Sequence, residues 1–307
     1  MSDLSSAALP PVRLAAGGRR QQVAFALLIC GAIFIGFSPI FVRLSEIGPI
    51  ATAVYRVLLA LPPLWLWMVL ERPEGAETRP KTARDVAGLA LAGAFFAGDL
   101  AFWHLSVLWT SVANATLFAN FASIFVTLLG WLLFRERYSR TFLAGMGLAL
   151  LGAAALMGDS LRISAGNLVG DLLGIVTAMF YAGYILVVAR LRRRFTAATI
   201  MVWSGAASAP ILLLVALAAG EGLLAQTAWG WAVLAGLALV SHAGGQSLIA
   251  YALAHLPAAF SSVSLLVQPI AAALLGWLLL GERLGPWQAA GGAVILAGIW
   301  TARRGSR

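Results

Sequence analysis

The chain has 307 residues, of which 61% are hydrophobic and 11% charged. A soluble domain carries roughly 25% charged residues, so this chain cannot cover itself in water, and lipid is the solvent that suits it. The net charge of +9 does not indicate nucleic acid, because the arginines sit between apolar runs; Cys30 is the single cysteine, which excludes an intrachain disulfide.

In chain order, residues 1–21 read as a short cytoplasmic tail with Pro10-Pro11, Gly17-Gly18 and Arg19-Arg20. The apolar run that follows, 23–42, is long for a signal-peptide core and right for a membrane span. Arg19-Arg20 lacks the downstream pattern of a twin-arginine signal and reads as a charge anchor. Further runs follow at 49–70, 86–108, 112–134, 142–157, 168–188, 197–219, 229–253, 258–280 and 286–302. Helix is the expected state for all ten runs, since unpaired backbone groups are not tolerated in hydrocarbon and no barrel alternation is visible. The fifth and tenth runs are short, about 17 residues each. No soluble domain fits in the links.

The chain repeats itself. Residues 111–137 and 257–283 align without gaps at a shift of 146 positions. Gly130-Trp131-Leu132-Leu133 recurs as Gly276-Trp277-Leu278-Leu279, and Glu136-Arg137 as Glu282-Arg283. Apolar bias makes leucine match leucine; it does not match tryptophan and Glu-Arg in one register. Gly98, Gly145 and Gly152 face Gly244, Gly291 and Gly298, and Ala32-Ile33-Phe34 faces Ala178-Met179-Phe180. The expected organisation is a tail at 1–21, one repeat at 22–158, a linker at 159–167, a second repeat at 168–303 and a tail at 304–307.

With a cytoplasmic N-terminus, 17 of the 21 lysines and arginines fall in inside segments. Arg43, Arg162 and Arg283 fall outside, and Arg56 lies within a span. This bias places both termini in the cytoplasm. Five spans per repeat is an odd number, so the second repeat enters from the opposite side. The expected fold is therefore an all-α integral membrane protein of ten transmembrane helices, built as two inverted five-helix repeats around a central cavity. Secondary transporters use this arrangement, with substrate near the midplane between the repeats.

The residues also carry a resemblance. The two helix ends at 130–137 and 276–283, the Tyr55-Arg56-Val57-Leu58-Leu59-Ala60 run and Gln268-Pro269-Ile270 resemble the ten-helix drug/metabolite transporters of the EamA type. Within that family the likeness is to exporters of aromatic amino acids and drugs. The resemblance implies export of small metabolites through a cavity walled by helices 1–4 and 6–9, with helices 5 and 10 peripheral. Import or exchange of another small metabolite is the alternative. The family often carries proline in the fourth helix where this chain has Ser123, while Pro269 stands in the ninth. A bend is thus expected of the ninth helix and not equally of the fourth.

The repeat supplies a rule for candidate site residues. A substrate is not two-fold symmetric, so polar groups found in one copy only are candidates for contact. Arg56 faces Val202, Asp99 faces Gly245, His242 faces Phe96, Gln246 faces Leu100, Gln268 faces Ala122, Trp103 faces Ile249 and Asn114 faces Phe260. At 1.5 Å per residue, Asp99, His242 and Gln268 lie roughly 14–20 Å from a helix end, near mid-membrane. Ser264 shares a helical stripe with Gln268, and Gln246 follows His242 by one turn. Arg56 and Asp99 either serve the carboxylate and ammonium of a zwitterion or bond each other. Aromatic candidates for stacking are Phe34, Tyr55, Trp103, Tyr184 and Trp203, with Phe37, Phe118 and Tyr181 behind them, and Ser38 completes the candidate set. His242 either carries a proton or is a hydrogen-bonded structural group. Glu136, Arg137, Glu282 and Arg283 read as helix-end structures or gate ion pairs, with Pro269 at the bend. The repeated glycines suit close packing within the chain, or a weak homodimer. Neither a nucleotide-binding loop nor a metal cluster is present, so no cofactor and no enzymatic activity are expected. The partners expected are a small-molecule substrate and membrane lipid, with no nucleic acid.

Overall fold

The computed structural model describes residues 18–71, 76–158, 165–281 and 284–306. Residues 1–17 of the expected tail, most of the linker, Glu282, Arg283 and Arg162 lie outside these. Among the described residues helix is the only extended structure, beside one isolated bridge from Glu77 to Phe195. Among the described residues nine helices are long and apolar enough to cross a bilayer: α1 (Arg19–Leu44), α2 (Pro49–Leu70), α3 (Ala83–Trp109), α4 (Asn114–Phe134), α5 (Arg140–Met157), α6 (Leu168–Leu191), α7 (Ala197–Ala218), α8 (Ala228–Ala252) and α9 (Ala258–Leu280). The tenth, α10 (Pro286–Gly305), is 20 residues long but less apolar, closing on Arg303 and Arg304. Helix is already formed at Gly18, inside the stretch expected as a tail.

Local signals set the helix starts. Thr82 caps α3 in a reciprocal box with Asp85. Ser139, Thr196 and Thr227 each accept a hydrogen bond from the backbone N–H three residues on, at 3.0, 3.2 and 3.0 Å. These hydroxyls satisfy amide donors that a helix leaves unpaired at its first turn.

The packing obeys the same shift of 146 as the sequence. Helix α3 packs on α6 and α7; its mate α8 packs on α1 and α2. Helix α4 packs on α6, and α9 on α1. The pairs α2–α7, α4–α9 and α5–α10 join mates directly. Single contacts repeat this reciprocity. A Cβ on Gly98 would strike the Phe180 ring at 2.2 Å, and one on Gly244 would meet Phe34 at 3.1 Å. Gly145 lies against Gly298 and Ala302, while Gly291 lies against Gly152 and Leu156, all at distances no Cβ could share. The glycines thus bring α5 and α10 backbone to backbone within the chain.

Loops tie the two halves at each membrane face. Glu221 accepts from the N–H groups of Ile50 at 3.3 Å and Ala51 at 2.7 Å, capping α2. Glu46 accepts from the N–H groups of Gln226 and Thr227, both at 3.1 Å, and from the Thr227 hydroxyl, capping α8. The Thr227 hydroxyl bond holds the Glu46 carboxyl below its ordinary pKa. On the opposite face Arg194 binds Glu77 at 3.2 Å and also Asp85, and its pKa is raised, chiefly by the Glu77 hydrogen bond.

Several helices are interrupted. Helix α1 breaks at Phe37 and α2 at Leu59-Ala60, before Pro62-Pro63. Helix α8 widens into a π-helix over Leu237–Gln246. Helix α9 breaks at Leu265-Leu266, as Pro269 predicts. Helix α4 breaks as well, at Asn120-Phe121, within a residue of the related position. This corrects the expectation drawn from Ser123. The amide of Asn120 donates to Thr116 O at 2.9 Å, and the Ser123 hydroxyl donates to Asn120 O at 3.3 Å. Thr116 O also keeps its backbone bond from Asn120 N at 3.1 Å, whereas Asn120 O has lost the N–H of Ile124, which turns to Phe121 O, and takes the Ser123 hydroxyl; the break forms without proline.

Candidate functional site

The interruptions converge on one place. A cavity of about 120 Å3 is lined by Ser38 and Pro39 at the break of α1, Asn120 at that of α4, Gln268 and Pro269 at that of α9, and Gln246 at the end of the π segment. Arg56 comes from α2, one turn before its break, and Phe96, Asp99 and Trp103 come from one stripe of α3. Tyr181 of α6 and Thr116 of α4 complete the polar wall. Helices α1–α4, α6, α8 and α9 contribute to the lining; α7 does not, contrary to expectation, and α5 and α10 stand apart.

Arg56 is 5% exposed, and its Nε has no hydrogen-bond partner among the described residues. Asp99 also lines the cavity and interacts electrostatically with Arg56. Neither makes an ion pair within 4.0 Å with another described residue. A charge in this setting is expensive unless something answers it. Here a guanidinium and a carboxylate face one hollow without touching. The amide nitrogens of Gln246 and Gln268 also lack a partner among the described residues, as does the Ser38 hydroxyl. The Gln246 and Gln268 side chains lie beside the hydroxyls of Tyr184 and Tyr181. Those two tyrosine rings stack at 6.2 Å. The hollow therefore offers one cation, one anion, several neutral donors and an aromatic wall.

Six of the expected contact residues meet in this cavity: Ser38, Arg56, Asp99, Trp103, Gln246 and Gln268. The others lie elsewhere. Tyr184 and His242 sit directly behind Phe96, with ring centroids 5.0 and 5.1 Å from it. His242 is buried with both ring nitrogens unpartnered among the described residues. Phe34 is 38% exposed and seats on Gly244, reciprocating Phe180 on Gly98, so it belongs to the scaffold. Asn114 donates to Asp171 at 2.9 Å, and Thr110 donates to the same oxygen at 2.7 Å, which ties α4 to α6. Ser264 is spent on its own helix, donating to Phe260 O at 2.9 Å. Tyr55 meets Trp231 edge-on at 5.1 Å, and Trp203 packs against the core. Glu136 accepts from the Tyr138 hydroxyl at 2.6 Å and makes no ion pair with Arg137.

Sequence reading missed Thr116 and Asn120, which look like ordinary polar residues until α4 is seen to break between them and the next segment. It also missed His104, fully buried beside Trp103, whose Nδ1 is 2.6 Å from Leu100 O.

The family profile of the EamA-like transporters matches residues 22–158 and again residues 168–303. The chain belongs to the EamA-like transporter family. Two proteins of Archaeoglobus fulgidus, each named an uncharacterized transporter, are 25% identical over 285 residues and 26% identical over 283. The matches span 91% of this chain and 94% and 96% of those proteins. A solved crystal structure superimposes with a TM-score of 0.76 at 15% identity, covering 92% of this chain and 98% of its own, which shows a shared fold. An EamA-like chain of this kind is a multi-pass membrane transporter and not an enzyme.

Proposed function

We propose that this transporter exports small metabolites, foremost amino acids with neutral or aromatic side chains and also cationic drugs, by alternating access through the central cavity. The observation that carries the reading is the separation of Arg56 and Asp99: two opposite charges line one hollow with no ion pair between them. A zwitterion answers both, carboxylate to guanidinium and ammonium to carboxylate. Trp103 and Tyr181 supply faces on which an aromatic side chain stacks. In this reading the ten helices form two inverted repeats, and the contact pattern of mates supports it. The same reading puts the chain in the inner cell membrane with both termini in the cytoplasm, on the lysine and arginine bias. Gly145, Gly152, Gly291 and Gly298 are consumed within the chain, which favours a monomer.

Proteoliposomes test the substrate class. Labelled phenylalanine, tryptophan, leucine and a cationic dye are followed by counterflow, with and without a pH gradient. Saturable counterflow of at least one amino acid is expected. Its absence for every amino acid, with uptake of an uncharged or purely anionic metabolite instead, refutes the zwitterion assignment.

A further inference from the structure

Helices α4 and α9 end at related positions in the same left-handed turn, at Arg135 (φ 54°) and Gly281 (φ 68°). Glycine enters this region freely, whereas a residue with a Cβ is disfavoured there. Arg135 is the only non-glycine residue with positive φ among the described residues. The turn itself is made by backbone bonds: Glu136 N donates to Gly130 O at 3.2 Å, and Arg135 N to Trp131 O at 3.0 Å. Glycine would close it equally well. What Arg135 adds is its guanidinium, held at a position where the other half uses none.

That side chain converges with Arg137, Trp131 and Leu132 on one open recess of about 310 Å3. Trp131 and Leu132 are 58% and 62% exposed and lie on the last turn of a membrane helix, at the depth where acyl chains meet headgroups. The intervening Glu136 keeps its charge but makes no ion pair within 4.0 Å with either arginine, and it acts on Arg190 instead. Its carboxylate is held by Tyr138, and the pair folds over Gly130. Neither arginine has an ion-pair partner within 4.0 Å among the described residues. Other basic groups at helix ends are engaged: Arg190 lies 3.4 Å over the Phe134 ring, and Arg303 and Arg304 lie over Phe25 and Trp300 at 4.6 and 3.6 Å.

We propose that this recess binds an anionic phospholipid, its phosphate between Arg135 and Arg137 and an acyl chain along Trp131 and Leu132. Planar guanidinium groups suit phosphate oxygens, and a bilayer supplies anionic headgroups at this depth. The site sits on the segment of α4 beyond its break, so a bound lipid braces the segment that leads from the cavity to the membrane edge. Nothing in it depends on the identity of the transported substrate.

The test uses the full-length protein in neutral detergent, titrated with phosphatidylglycerol, phosphatidylcholine or inorganic phosphate. Bound lipid is counted by native mass spectrometry and melting is followed in parallel. Phosphatidylglycerol is expected to bind and raise the melting temperature, with phosphatidylcholine and free phosphate binding at least tenfold more weakly. Arg135→Gly is expected to melt at or above the wild-type temperature when lipid-free, because the turn relaxes, yet to lose at least tenfold in phosphatidylglycerol binding. Arg137→Gln is expected to lose binding similarly, and Arg303→Gln with Arg304→Gln to keep it. Wild-type lipid binding in both Arg135→Gly and Arg137→Gln overturns the proposal. So does an equal loss in the Arg303/Arg304 variant, or free phosphate binding as tightly as the lipid.

Discussion

The two halves of this protein share a scaffold and differ in what they hold. Glycine contacts, helix ends and the breaks in α4 and α9 recur under the shift of 146 positions. The charges that line the cavity do not, nor do the break in α1 and the π segment of α8. At Asp99 the first half opens a hollow; at the related Gly245 the second half presses α8 onto α1, where a Cβ on Gly31 would meet Gly245 O at 2.8 Å. Helix α3 is regular where its mate α8 is a π-helix, and α1 breaks where α6 runs on. In the proposed function, the symmetric elements serve the exchange of roles between the halves and the asymmetric side chains serve contact with the substrate.

The sharpest way to break this comparison is at the charges. Arg56→Gln and Asp99→Asn should each lower counterflow tenfold to a hundredfold, since a hydrogen bond to a charged group is worth roughly 1.5–3 kcal/mol and 1.4 kcal/mol is a factor of ten. Gly245→Ala, at the mate of Asp99, should instead lower the melting temperature. If Asp99→Asn transports normally but melts early, the charges serve the scaffold. Next in size is the α5–α10 seam. Gly145→Leu meets backbone at 2.3 Å and should destabilise by roughly 3 kcal/mol or fail to accumulate. Gly147→Leu, two residues on with nothing within 4 Å, should be tolerated in a thermal-shift assay.

A smaller effect is expected at the loop tie. The folded Glu46 carboxyl sits below its ordinary value, so its contribution is present above that value and is lost as pH falls through the depressed folded one. Glu46→Gln should therefore melt earlier than wild type at neutral pH, with the gap closing as the pH falls below the ordinary carboxylate range. A constant gap would mean that the tie acts through shape alone. The smallest effect belongs to Ser123→Pro. Ser123 already stands in the first turn of the second segment of α4, where proline is accepted, so a change within about 1 kcal/mol is expected. A large loss would show that the break in α4 depends on the Ser123 hydroxyl rather than on Asn120.

Much of this was legible before any coordinates. Apolar runs separated by short basic links leave helix as the way to satisfy the backbone in hydrocarbon, and the ungapped repeat of Trp131 and Glu136 at Trp277 and Glu282 announces two related halves. Comparing the copies also picked out Arg56, Asp99, Trp103, Gln246 and Gln268. It failed for Asn114, which is unmatched in the other copy because Asp171 is unmatched too, and the two bond each other. Phe34 entered as an aromatic candidate and not through that comparison; its repeated partner Phe180 seats on Gly98 as Phe34 seats on Gly244.

What the sequence determined alone is the solvent, the helices, the twofold plan and most of the polar groups that cannot face lipid. These follow from hydropathy and self-similarity, which are properties of single residues and of register. The tertiary structure decided where helices stop. Asn120 breaks α4 without proline, ten residues of α8 widen to a π-helix, and Arg56 stays apart from Asp99 instead of pairing with it. The separation of Arg56 from Asp99 lies between two helices and exists only once they are packed, whereas the bonds at the α4 break are local and follow the backbone geometry of the folded helix.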